Sequence, residues 1–138
     1  MSKYIYLRAY MAGVTVPSVL MVFALASLCV VRFGYHFPFP IERAVVFPIA
    51  LVPPIWGLWN MLFVALRRHR YLPLGLHGVV IPLFVMPLGF AIIRMSGVDF
   101  PPLVTTIFPF GVAVVMAGYY LIWKYLVGFL NELVEVGS

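Results

Sequence analysis

The stretch that decides the fold is Ala9–Val31, AYMAGVTVPSVLMVFALASLCVV, 23 residues without an acidic or basic side chain. At about 1.5 Å of rise per residue, a helix of this length spans about 34 Å, enough for a hydrocarbon core of about 30 Å. Arg8 and Arg32 bracket the run, where they can reach lipid headgroups. A signal peptide also has an apolar run after basic residues, but this run is longer, so we expect a retained transmembrane helix.

Three more stretches without charged residues follow along the chain. They are Ala44–Leu66, Tyr71–Ile93 and Phe100–Trp123, of 23, 23 and 24 residues. Strands of a membrane barrel would be shorter and would alternate in polarity, and these stretches do not alternate. The sequence therefore predicts an all-α, polytopic membrane protein with four transmembrane helices in one domain, residues 1–138.

Composition supports a membrane location. The chain is 64% hydrophobic and 9% charged, with a mean hydropathy of +1.10, whereas soluble domains are about 25% charged. The net charge of +5 comes from basic residues at the ends of the apolar runs, so the lipid bilayer, not nucleic acid, is the expected partner. The single cysteine, Cys29, lies in an apolar run without metal-ligand spacing, and we expect neither metal nor cofactor.

The distribution of lysine and arginine predicts the orientation of the helices. One side of the membrane would carry Lys3, Arg8, Arg67, Arg68, Arg70 and Lys124, and the other Arg32, Arg43 and Arg94. The excess of basic residues predicts that both termini are cytoplasmic. Beyond Trp123 the chain stays amphipathic, and we expect Asn131, Glu132 and Glu135 to face water.

An internal repeat is indicated by a motif that recurs at an offset of 61 residues. Phe-Pro, Phe-Pro, a small residue and glycine occur at 39–40, 47–48, 50 and 57, and again at 100–101, 108–109, 111 and 118. The repeat units would be about 9–70 and 71–134, forming two tandem αα-hairpins. Because each unit contains two helices, both copies would point the same way, related by a parallel pseudo-two-fold axis along the membrane normal.

Small residues and prolines define the expected helix contacts. Small residues that share a face let helices approach closely in lipid. The candidate packing residues are Ala50, Gly57, Gly111, Ala113, Ala117 and Gly118. Prolines at 48, 53, 54, 82, 87 and 109 should kink or break the helices, and these breaks either serve packing or line a site.

Two polar residues within the predicted spans are candidate functional residues. Asn60 either lines a polar path or forms an interhelical hydrogen bond. His77 lies about one turn inside the third span and either moves protons or is an interfacial histidine.

Two groups of arginines are candidate anion contacts. On the outer side, Arg32, Arg43 and Arg94 either converge on a phosphate or carboxylate or reach separately for lipid phosphates. On the inner side, Arg67, Arg68 and Arg70 are expected to contact anionic lipids of the inner leaflet.

Three classes of function remain open. The first is a small non-enzymatic subunit of a larger membrane complex or homo-oligomer. The second is a small oligomeric channel or transporter, favoured by the repeat and the proline-broken helices. The third is a lipid-handling enzyme using outer residues such as Glu42 and Asp99, although no paired-carboxylate or nucleophile motif is present and we assign no catalytic residue.

Overall fold

The computed structural model describes residues 4–36, 41–67, 72–95 and 102–136. Within them, the side chains at 43, 44, 46–48, 93, 102–105, 107 and 108 are not described. The described chain is all-helical and consists of four helices, and no strand occurs among these residues. The predicted fold class is therefore confirmed at this level.

The first two helices differ in regularity. Helix α1 is α-helical over Ile5–Cys29 and continues as a π-helical turn over Val30–Gly34. Helix α2 is made of three pieces, an α-helical turn Ile41–Ala44, a π-helical segment Val45–Ala50 and an α-helix Val52–Leu66.

Helices α3 and α4 complete the bundle. Helix α3 runs over Leu74–Met95 without a break, with Pro82 and Pro87 inside it. Helix α4 is α-helical over Pro102–Leu121, π-helical over Ile122–Val127 and α-helical again over Gly128–Leu133.

Three of these helices are long and apolar enough to cross a membrane. The spans are Ile5–Gly34, Leu74–Ile92 and Pro109–Leu133, whereas the unbroken apolar helix in α2, Val52–Leu66, has only 15 residues. A helix of 15 residues is about 22 Å long, short of a hydrocarbon core of about 30 Å. The described residues thus have the character of a membrane protein, while four crossings stay a prediction.

The break in α2 follows from its prolines. Leu51 forms a turn, and Pro53 and Pro54 occupy the second and third positions of the helix that restarts at Val52. The first N–H groups of a helix have no intrahelical partner, so proline costs little there. The first bond of the new helix accordingly runs from the N–H of Ile55 to the carbonyl of Leu51, at 3.2 Å.

Glycines allow close approach between α1 and α2. A Cβ atom on Gly13 would lie 2.6 Å from the carbonyl oxygen of Trp56 and 3.0 Å from Cα of Gly57. A Cβ atom on Gly57 would lie 2.6 Å from the side chains of Tyr10 and Val14. Only glycine fits at these two positions, and the two backbones pack directly on each other.

Aromatic rings join α2, α3 and α4. Trp56 packs against Tyr119 and Trp123, with ring centres 4.9 and 5.4 Å apart. Gly78 lies against the Trp123 ring, where a Cβ atom would clash. All three tryptophans of the chain, at 56, 59 and 123, lie in this cluster or beside it.

The core is confined to one part of the bundle. Buried residues come from the N-terminal half of α1, the C-terminal part of α2, most of α3 and the C-terminal part of α4. We call this end of the bundle, where Arg8, Arg67 and Lys124 lie, the basic end. At the opposite end, with Arg32 and Glu42, most described side chains are exposed.

Candidate functional site

The most deeply buried polar groups form a pair of carboxamides between α2 and α4. Asn60 and Asn131 are both 0% exposed. Asn60 Nδ2 donates to Asn131 Oδ1 at 2.7 Å, and Asn131 Nδ2 donates back to Asn60 Oδ1 at 3.2 Å. Asn60 Nδ2 also donates to the carbonyl of Ala9 in α1, at 2.7 Å. This amide pair therefore joins three helices through groups that would be costly to leave unpaired in an apolar core.

The path of α4 explains how Asn131 reaches this position. Trp123, Val127 and Asn131 are each 0% exposed and are spaced by four residues. In a regular α-helix, residues four apart drift by roughly 40° around the axis. The π-helical turn Ile122–Val127 has wider turns that offset this drift. The three side chains consequently face the bundle in one line.

The asparagine contact corrects one expectation and answers another. The prediction that Asn131 faces water is wrong, because its side chain is fully buried and bonded to Asn60. Glu132 and Glu135 are exposed, as expected. Of the two roles considered for Asn60, its geometry is that of an interhelical contact.

Residues 128–136 are the last part of α4, Gly128–Leu133, and the three residues that follow it. This segment packs over the basic end, and we call it the strap. The helix ends in a Schellman motif, in which the N–H of Val136 donates to the carbonyl of Asn131 at 2.8 Å and the N–H of Glu135 donates to the carbonyl of Glu132 at 3.0 Å. Glu135 takes the left-handed position, with φ of 58°. Glycine usually occupies this position, and a glutamate there carries conformational strain.

Two arginines hold the end of the strap. Arg67 Nη1 donates to the carbonyl of Val136 at 2.7 Å. Arg8 Nη1 reaches the carbonyl of Val134 at 3.4 Å and pairs with Glu135 Oε2 at 2.9 Å. Cations at a helix C-terminus are favourable because the last carbonyls carry partial negative charge. The side chain of Val136 is buried beneath these contacts, at 3% exposure.

His77 takes part in packing between α2 and α3. It is buried, its ring meets Phe63 edge-on at 5.1 Å between ring centres, and its carbonyl accepts a hydrogen bond from Trp59 Nε1 at 2.9 Å. Two other indole donors, Nε1 of Trp56 and of Trp123, are buried without a hydrogen-bond partner among the described residues.

The outer arginines do not all fall within the described part of the chain. Arg32 pairs with Glu42 through one guanidinium nitrogen, at 2.8 and 3.1 Å from the two carboxylate oxygens, and lies 5.7 Å from the centre of the Phe33 ring. Arg94 is exposed, and the side chain of Arg43 is not described. Asp99, Arg68 and Arg70 lie outside the described residues.

The predicted packing residues separate into two sets. Gly57 is buried against α1, whereas Ala50 is exposed. A Cβ atom on Gly111 or on Gly118 would meet nothing within 4 Å. These glycines lie on a surface that we call the outer face of α4, whose members cover roughly 160° of the helix circumference. The members are Phe110, Gly111, Ala113, Val114, Ala117, Gly118 and Leu121.

The polar contacts of the basic end are hydrogen bonds, one ion pair and one cation–aromatic contact. Two amides bond each other, two guanidiniums bond backbone carbonyls and one carboxylate, and Lys124 lies 5.1 Å from the centre of the Tyr125 ring. Within the described ranges, no three side chains among His, Cys, Asp and Glu group closely enough to hold a metal ion.

Sequence reasoning missed Asn131, Arg8 and Glu135 as parts of one site. A signal existed for Asn131, because the chain contains two asparagines and no glutamine, and both asparagines lie near the same predicted side of the membrane. Two isolated carboxamides in so apolar a chain satisfy each other most readily. No sequence pattern announces the left-handed Glu135, since glycine is the residue that marks this position.

The chain was compared with protein families, curated proteins and solved structures. No family model matches it, and no curated protein and no solved structure matches it significantly.

Proposed function

We propose that the chain is a subunit of a helical membrane assembly, as a homo-oligomer or as an accessory subunit of a larger complex, and that it contacts its neighbour through the outer face of α4. This proposal extends the membrane character of the described helices. It rests on one observation, the open space over Gly111 and Gly118 on that face.

The composition of the outer face favours a helix as its neighbour. Lipid tails pack well against large apolar side chains, whereas glycine and alanine are enriched where two transmembrane helices meet. Four of the seven members are glycine or alanine, and Phe110 and Val114 beside them are 76% and 73% exposed. A second helix seated over the glycines would bury these two side chains as well.

Gly57 is the internal comparison for this argument. It occupies the position of Gly118 in the repeated motif and receives side chains of α1. Gly118 has the same sequence context, but α3 does not pack on it. Helix α3 contacts α4 closer to the basic end, through Gly75 against Tyr120 and Gly78 against Trp123. The face of Gly118 is thus free for a helix from another chain.

The proposal includes four membrane crossings with both termini in the cytoplasm. It is supported by the six basic residues predicted on that side and by the contacts of Arg8 and Arg67 with the same strap. The parallel two-hairpin repeat stays a proposal too, supported by the motif alone. Labelling single cysteines at Tyr4 and Tyr35 from either side of the membrane tests the topology, and equal access from one side would contradict it.

The first test is the mass and composition of the particle extracted in mild detergent. A homo-oligomer or a fixed ratio to other proteins is expected. A monomer that stays monomeric at every gentle extraction condition would overturn the proposal.

Cross-linking then tests the surface itself. With Cys29→Ser as background, Gly118→Cys and Val114→Cys should give oxidative cross-links in native membranes, to a second copy or to a partner with added cysteines on its helices. Val22→Cys and Phe23→Cys are matched controls, since these residues are 67% and 68% exposed on α1. Equal cross-linking at all four positions would show collision and not a specific interface.

A second candidate function is a small channel or transporter. It is favoured by the break in α2, because discontinuous helices expose backbone groups that coordinate substrates in transporters. Purified protein in liposomes should then carry ion or solute flux, and Pro53→Ala with Pro54→Ala should change its rate by mending the break. Absence of flux across a panel of ions, or flux indifferent to these substitutions, would remove this candidate.

A further inference from the structure

We propose that the strap is a lipid-sensitive latch, in which anionic lipid headgroups compete with the end of the strap for Arg8 and Arg67. In a neutral bilayer the strap is closed, and in an anionic one its last residues, 133–136, are released. The inference does not depend on the proposed assembly, because every contact that it uses lies within one chain.

The strap's contacts with Arg8 are weaker than those at its base, and the bond from Arg67 to the carbonyl of Val136, at 2.7 Å, is the stronger arginine contact at its end. At its base, the amide pair is fully buried and has two hydrogen bonds. At its end, the Arg8–Glu135 pair is open to water, with side chains 37% and 81% exposed, and the Arg8 contact with Val134 is long at 3.4 Å. Exposed pairs of this kind are weak and are screened by salt. The end of the strap can therefore open while its base stays fixed.

The backbone conformation of Glu135 also favours opening at the end of the strap. Glu135 is held with φ of 58°, which a residue with a side chain adopts only when its surroundings compensate. The surroundings here are the two arginines and the burial of Val136. Removing the arginine contacts leaves the strained residue without that support, so the Schellman motif should open with them.

Phosphate is a stronger acceptor for these guanidiniums than the backbone carbonyls of the strap. Two of the three arginine acceptors in the strap are neutral backbone carbonyls. A lipid phosphate offers a negative charge and several oxygens, and arginine binds phosphate through two parallel hydrogen bonds. Phosphatidylcholine carries the same phosphate beside a compensating choline cation, whereas an anionic lipid leaves the phosphate charge uncompensated and gives the bilayer surface a negative potential that attracts basic residues. Arg8 and Arg67 both lie at the basic end of the bundle, which meets that surface.

Val136 supplies a direct readout of the latch, because release would take its side chain from 3% exposure into water. In the Cys29→Ser background, Val136→Cys keeps a small apolar side chain at this position. Its rate of reaction with a water-soluble maleimide is compared with that of Leu133→Cys, a neighbour already 66% exposed. The ratio of the two rates cancels any effect of surface charge on the reagent.

The ratio is measured in vesicles of phosphatidylcholine and in vesicles of equal parts phosphatidylcholine and phosphatidylglycerol, at constant ionic strength. We expect the anionic vesicles to raise it on the order of tenfold. Because the lipids are the same in both leaflets, the orientation of the protein does not affect the result. Inorganic phosphate added to the neutral vesicles should leave the ratio unchanged, and a rise there would overturn the assignment to lipid.

Two variants separate the latch from a general effect of the membrane. Arg67→Gln should raise the ratio already in neutral vesicles and should abolish most of the response to phosphatidylglycerol. Lys124→Gln removes a basic residue at the same end and should leave both the ratio and the response unchanged. A ratio that is equal in the two kinds of vesicle, or an Arg67→Gln variant that responds as fully as the parent, would overturn the proposal.

Discussion

The two ends of this bundle use the same kinds of residue in different ways. Toward the basic end, glycines sit under aromatic rings and backbone, and the two asparagines are buried. Toward the opposite end, Gly111 has open space over it, and Phe110 and Val114 are largely exposed. The basic end is a packed core. The outer face of α4 is a surface, although its glycines, alanines and large apolar residues are of the kinds found in a packed helix interface.

This difference shows that only part of each helix is packed within the chain. Among the described residues, none comes within 4 Å of a Cβ atom on Gly111 or Gly118. In lipid, no hydrophobic force closes such a gap, and only close packing or hydrogen bonds can do so. The basic end has both, through Gly13 and Gly57 and through the amide pair.

The largest expected effect comes from filling the two motif glycines. Gly57→Leu should destroy the fold, because even a Cβ atom there meets Tyr10 and Val14 at 2.6 Å. Overpacking by several atoms costs about 3 kcal/mol or more. Gly118→Leu should leave the monomer folded and should abolish assembly. Thermal unfolding in detergent, followed by tryptophan fluorescence, measures the first effect, and particle mass measures the second.

The control for this comparison is Gly118→Ala, which adds one methyl group to the same surface and should weaken assembly only partly. If Gly118→Leu unfolded the chain as Gly57→Leu does, the outer face of α4 would belong to the core. The contrast between the two ends would then be wrong.

Sequence reasoning identified the helical membrane character because one property, a run of uncharged residues as long as the bilayer is thick, decides it. The structure of α2 could not be predicted in detail, because the sequence does not show at which residue the second α-helix begins. Pro53 and Pro54 were expected to kink or break the helix, and they lie just after a break, at the start of a new helix, where a missing N–H costs little. The two copies of the repeated motif also differ in backbone conformation. Pro48 lies in a π-helical segment, and Pro109 lies within an uninterrupted α-helix.

The second expected effect concerns the amide pair. Asn60→Ala should destabilise the basic end by about 1–3 kcal/mol, because Asn131 and the carbonyl of Ala9 both lose a partner in an apolar core. Asn131→Ala should cost less, since it leaves the Ala9 bond intact. In a double-mutant cycle the pair should show a coupling of about 1 kcal/mol, within the range of interhelical hydrogen bonds in membranes. Additive losses would mean that the two amides do not bond each other.

Only one member of the amide pair was identified from the sequence. Asn60 could be singled out from the sequence because it interrupts an apolar span. Asn131 lies beyond the predicted span, and only its being the second of two asparagines in a chain without glutamine marked it as a partner for Asn60. Asn131 was assigned to water because it is a polar residue beside Glu132 in an amphipathic stretch, whereas in the structure it is buried and bonded to Asn60.

A smaller effect is expected at the opposite end. Glu42→Gln removes the carboxylate that pairs with Arg32, and an exposed pair of this kind contributes no more than about 1 kcal/mol. Tryptophan fluorescence should not change, because all three tryptophans lie toward the basic end. Circular dichroism follows any loss of helix at the opposite end separately. A shift in the fluorescence transition as large as that of Asn60→Ala would show that the two ends fold as one unit.

The smallest net effect is expected at Glu135, where two terms oppose each other. Glycine accepts a φ of 58° freely, so Glu135→Gly relieves about 1 kcal/mol of backbone strain, and it loses the exposed pair with Arg8, which contributes at most a similar amount. Glu135→Ala loses the pair and keeps the strain, so it should be the less stable variant. Salt should weaken the parent and leave both variants unchanged, because the pair is the part that salt screens. Unfolding midpoints at low and high salt measure all three proteins, and a glycine variant less stable than the alanine variant would mean that the strap does not end in the left-handed turn.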